Sequence, residues 1–185
     1  MNRSMKTKIM CWFCVLSVVC ATQLYADENN SPKAINQSPY FRILDKWRGN
    51  WRVTARFNKP SPITVTYDEH YDWVMNGRFL RGETSQQPDG NTTMMMMWYE
   101  ENIKSYRILY FFSKPTSVGL VGEPPPATWN EQTQTMEANA FFFGFGGYTG
   151  RETFLNKDTI KWNIVVKDWK GVVTLDMEGT NIRRK

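Results

Sequence analysis

The chain has 185 residues, with 23 basic and 18 acidic side chains, 15% aromatic residues and three cysteines. So high an aromatic content excludes a disordered chain. Three of the bases, Arg3, Lys6 and Lys8, crowd the N-terminus, and removing them from the 23 leaves 20 bases against 18 acids, which gives no footprint for nucleic acid.

Those three bases precede an apolar run, Ile9 to Val19, that is shorter than the roughly 20 residues a membrane span needs. Leu24-Tyr25-Ala26 then offers a small residue for cleavage, and Asp27-Glu28-Asn29-Asn30 turns polar. Residues 1–26 therefore read as a signal peptide, with cleavage after Ala26 and a periplasmic or secreted product. Lipoprotein anchoring through Cys20 is the weaker reading, because Val19 stands where a lipobox takes a small residue. Cys11, Cys14 and Cys20 all fall in this segment, so the mature chain is expected to have no disulfide, no thiolate chemistry and no stable membrane span. Residues 27–37 read as a flexible leader and 38–185 as one domain with one core.

The first element is a helix. Tyr40, Ile43, Leu44 and Trp47 recur at helical spacing, with Ser38 placed to cap, Pro39 at the first helical position and Gly49 to end it. From there the period is two. Trp51, Val53, Ala55 and Phe57 alternate with polar residues, as do Val65, Tyr67, Glu69, Tyr71 and Trp73. Asn76-Gly77 marks a hairpin before a strand from Arg78 to Thr84, and Asp89-Gly90 marks the next turn. Further strands are predicted over Thr92–Tyr99, Ser105–Phe112, Ser117–Val121, Thr128–Asn130, Thr135–Phe142, Tyr148–Leu155, Thr159–Asp168 and Val172–Arg183. Gly122 to Pro126 reads as a rigid connector.

About ten strands with short turns and no crossover helices make an all-β, antiparallel up-and-down meander. A sheet of that size is expected to close into a barrel, which removes its exposed edges. Trp51 at the start of the first strand and Arg183 at the end of the last share inward parity, so closure would stack one on the other. Gly49-Asn50-Trp51 with the terminal Arg183 resembles the calycin superfamily of barrels. Two longer blocks, Leu44 to Trp51 and Trp73 to Glu83, are similar to the signature of the domain of unknown function 1579 family. Trp98-Tyr99, Ile103 to Tyr106 and Met177 to Thr180 fit that pattern too. The resemblance implies a small calycin-like barrel with no established activity.

Candidate chemistry is sparse. His70, the only histidine, shares parity with outward Asp68 and Asp72, which argues against a catalytic triad. It also argues against haem, for which the C-terminal half has no histidine to offer. Met94 to Met97 are soft ligands suited to copper(I), but consecutive strand residues alternate between faces, so packing is the better reading. Neither a metal nor a cofactor is expected. The glycines of Phe141 to Gly150 lack the spacing and the following helix of a nucleotide loop. The expected function is binding of a small, mostly apolar ligand in the barrel cavity. Tyr67, Tyr71, Trp73, Tyr106, Tyr110 and Trp162 would line it, and Glu69 and Arg81 would fix the ligand's head. Glu69, Arg81 and Glu83 are expected to face inward as a polar cluster. Two other classes stay open: an enzyme using Glu69 as acid or base, and a barrel filled by its own side chains.

Overall fold

The computed structural model describes residues 38–114, 125–142 and 146–185. Its one described helix, α1 (Pro39–Leu44), is followed by ten strands: β1 (Gly49–Lys59), β2 (Ile63–Val74), β3 (Phe79–Thr84), β4 (Thr93–Glu100), β5 (Ser105–Phe112), β6 (Pro126–Asn130), β7 (Thr135–Phe142), β8 (Gly146–Asn156), β9 (Thr159–Lys167) and β10 (Val173–Arg183). Every strand pairs antiparallel with its neighbours in sequence, and β1 also pairs with β10, which closes the barrel. The expected strand over Ser117–Val121 and the expected signal peptide and leader lie outside the described residues. Pro126, expected to end a connector, instead opens β6.

α1 is shorter than its apolar spacing suggests, and Ser38 makes no side-chain cap. The Ser38 carbonyl accepts from the Phe41 and Arg42 amides instead, and backbone bonds in tight turns carry the chain from Asp45 to Arg48. These turns lay Leu44 and Trp47 across the end of the barrel, where neither has exposed surface.

Closure occurs where the sequence places it. Trp51 is opposite Arg183 in the β1–β10 ladder, and the guanidinium carbon lies 4.1 Å from the centre of the Trp51 ring. Arg183 also donates to the carbonyls of Lys46 (2.7 Å), Lys157 (3.1 Å) and Arg48, and Trp51 Nε1 donates to the Trp47 carbonyl (2.6 Å). One residue thus joins the last strand to the first strand, to the turn after the helix and to the β8–β9 turn. Trp47 and Phe154 complete the plug edge to face at 4.7 Å.

The parity expected for β3 needs correction: Arg81 and Glu83 face outward. Cross-strand partners share a face. Val74 pairs with Phe79 across a turn of four residues, so each odd-numbered residue of β2 faces an even-numbered one of β3. Inward Tyr71 and Trp73 therefore meet Gly82 and Leu80, while Arg81 pairs with outward Asp72 and Glu83 with outward His70. Arg81 Nε lies 3.5 Å from Glu83 Oε1, with both side chains substantially exposed.

Two large rings are accommodated by bare backbone on the facing strand. A methyl group on Gly82 would overlap the Tyr71 ring, and one on Gly179 would overlap the Trp162 ring. Each ring lies over its glycine on the inner face, and this lets broad side chains fit within the wall.

Candidate functional site in the barrel interior

Burial along the inner wall is uneven. At the helix end Trp51, Leu80 and Ile160 have no exposed surface, and Met97, Tyr106, Met136 and Phe154 are nearly as deep. Toward the opposite end Phe57, Val65, Tyr67, Tyr110, Ile164 and Val166 are only half-buried, although their register turns them inward. Among the described residues the barrel is thus plugged at the helix end and less buried along the rest of its inner wall, which forms a cup.

The polar groups of the cup sit at mid-depth. β2 carries Glu69 inward, opposite Trp51 in the ladder. Its Oε2 accepts from the Tyr71 hydroxyl (3.1 Å) and from Asn181 Nδ2 (3.0 Å). Asn181 cannot be turned the other way round, because its Oδ1 accepts from Trp162 Nε1 (2.7 Å), and an indole only donates. Glu152 stands on the inner wall of β8, between Met136 and Trp162 in the ladders. Its Oε2 accepts from Trp47 Nε1 (2.7 Å), again a donor-only group.

Both carboxyls are held above their usual range. Burial is the main cause for Glu69 and repulsion from Glu152 the second; together they outweigh the bonds from Tyr71 and Asn181 and push Glu69 from 4.5 to about 8. Burial likewise raises Glu152 against the Trp47 bond. Tyr67, Tyr71, Tyr110 and Tyr148 are all raised by burial, so they are neutral donors at physiological pH. Tyr110 and Tyr148 lie close enough for each to influence the ionisation of the other.

The eight residues expected to bind a ligand divide into three groups. Tyr67, Glu69, Tyr71, Tyr110 and Trp162 are brought together in the cup. Trp73 and Tyr106 belong to the plug: Trp73 Nε1 donates to Asp45 (2.8 Å) and its ring packs on Phe41, while Tyr106 meets Tyr99 at 5.1 Å. Arg81 is outside. The sequence reading missed Glu152, Asn181 and Tyr148. The alternation Tyr148, Gly150, Glu152, Phe154 points all four inward, and Asn181 shares the parity of Arg183, so the signal for each was present. His70 lies outside, as its parity indicates, with Nδ1 2.7 Å from Asn50 Oδ1.

No protein-family model matches the chain, and no curated protein matches it in sequence. Solved structures do match in shape. The S-type phycobiliprotein lyase CPES of Guillardia theta aligns at a TM-score of 0.53 and 14% identity, over 83% of this chain and 97% of that one. Rv2717c of M. tuberculosis aligns at 0.56 and 10%, over 80% and 99%. A protein of unknown function from the DUF3598 family of Nostoc punctiforme aligns at 0.50 and 12%, over 80% of this chain and 51% of its own. At these identities the likeness concerns fold alone: a closed antiparallel β-barrel.

Proposed function

We propose that the chain binds a small, mostly apolar ligand inside its barrel. The observation that carries this reading is the contrast in burial between the plugged end and the half-open apolar wall opposite it. A barrel filled by its own side chains would leave the inward residues of that wall little accessible surface. Aromatic walls with a few convergent polar groups are the usual composition of a ligand site. Native mass spectrometry of protein purified from its source should show a retained small-molecule adduct that disappears on denaturation. Protein that carries no adduct and takes up none from a lipid extract would count against the reading.

Catalysis in the same cavity is a second reading, favoured by one observation. A carboxyl with its pKa near 8 can both give and take a proton close to neutrality. Under this reading a bound compound changes mass on incubation, and Glu69→Gln stops the change while leaving the compound bound. Under the first reading the bound compound stays unaltered.

Membership of the domain of unknown function 1579 family is part of the proposal and rests on the motif blocks. Export with cleavage after Ala26 is another part, supported by the basic, apolar and polar succession of residues 1–30. The intact mass of the released protein should begin near Asp27. A full-length product, or one acylated at Cys20, would refute the cleavage.

A further inference from the structure

The charge inside the cup is one-sided. Glu69 and Glu152 both stand on the inner wall, and Arg183 is the one cation of inward parity among the described residues below the rim. Arg183 does not serve them. Its guanidinium lies on Trp51 and is bound to three backbone carbonyls and to Asp158 (3.3 Å) at the plugged end. Arg81, the cation the sequence suggested for the interior, is on the outer surface.

The two carboxyls are also wired as acceptors. Indole N–H groups can only donate, so Trp47 fixes Glu152 as an acceptor, and Trp162 fixes the Asn181 amide with its N–H toward Glu69. With Tyr71 added, Glu69 Oε2 takes two donors. Such a pattern favours the ionised carboxylate, whereas burial without a counter-ion disfavours it. What the site lacks is a positive charge. Tyr67, Tyr71, Tyr110, Tyr148 and Trp162 surround the acids, and the faces of such rings attract cations.

Building on the cavity-binding reading, we propose that the ligand is an organic cation, with a protonated amine or quaternary ammonium head held between Glu69 and Glu152 and an apolar body reaching toward the mouth. The groups facing this head are Glu69, Tyr67 and Tyr71 from β2, Tyr110 from β5, Tyr148 and Glu152 from β8, Trp162 from β9 and Asn181 from β10. Binding is therefore coupled to ionisation of Glu69, and at pH 7.5 the amine drives a proton out of the site.

Three matched probes test this: 1-naphthylmethylamine, 1-naphthylmethanol and 1-naphthoate, titrated into the folded protein at pH 7.5 by calorimetry. The amine should bind at least tenfold more tightly than the alcohol, with the naphthoate weakest. Its apparent enthalpy should change between phosphate and Tris buffers, reporting proton release. Glu69→Gln and Glu152→Gln should each weaken the amine about tenfold, while an unchanged circular dichroism spectrum and a cooperative urea transition show that the variants are folded. If the alcohol or the naphthoate matches the amine in the wild-type protein, the cation proposal is overturned while the cavity reading stands. If none of the three saturates, both are overturned.

Discussion

Replacing Trp51 with alanine should cost about 3–5 kcal/mol of stability, the range for deleting a large, fully buried aromatic side chain. Trp51 has no exposed surface, and its neighbours cannot easily collapse into the space. It is held between Arg183 on one side and the Trp47 carbonyl on another, with the Phe154 ring 6.5 Å away. Part of the loss should be shared with Arg183. A double-mutant cycle between Trp51→Ala and Arg183→Ala should give a coupling of about 0.5–2 kcal/mol, the range for a cation over an indole face. Urea unfolding followed by tryptophan fluorescence measures both quantities. A loss below about 1 kcal/mol for Trp51→Ala would mean that the plug does not hold the barrel closed.

The second large effect is a stability that falls with rising pH, from Glu69. Its pKa lies near 4.5 when exposed and about 8 in the fold. Between those values the folded state holds a proton that the unfolded chain has released, so stability is fully present below about 4.5 and is lost as pH climbs through 8. The full linkage value of such a shift is about 4–5 kcal/mol, an upper bound that water entering the cup reduces. Glu152 is raised as well and acts in the same direction. Exposed Glu131 is lowered by its bonds from Trp129 and Gln134, and it acts the opposite way only below the usual carboxylate range. Urea midpoints taken from pH 5 to 9 should therefore decline, and Glu69→Gln should flatten the decline and be the more stable protein at pH 8.5. A wild-type midpoint that rises with pH across this window would contradict the buried-acid picture.

The same coupling bears on ligand uptake. A site whose acids are destabilising when ionised and unpaired should gain stability from any cation that pairs with them. The pH slope should then shrink in the presence of the naphthylmethylamine probe, by mass action on the folded state.

Within a strand the sequence was a sufficient guide. Alternation at Trp51, Val53 and Ala55, at Glu69 and Tyr71, and at Tyr106 and Tyr110 reports the inner face because successive side chains must point to opposite sides. Arg183 could likewise be matched to Trp51, because a closed meander must bring its first and last strands together. The antiparallel order of the described strands followed from the turn residues.

Relations between strands were decided only by the tertiary structure. Which parity faces inward after a turn depends on how many residues the turn holds: the parity of β2 carried forward puts Arg81 in the interior, whereas the Val74–Phe79 register turns it outward. Glu69 and Glu152 are 83 residues apart in sequence and repel each other inside the barrel. Nothing local to either strand carries that information. The depth of each inward residue is equally non-local: Tyr106 and Tyr110 share a face on one strand, yet the first is buried in the plug and the second lines the cup. Alternation fixes the direction of a side chain, whereas burial and pKa depend on what closure and the end plug place around it.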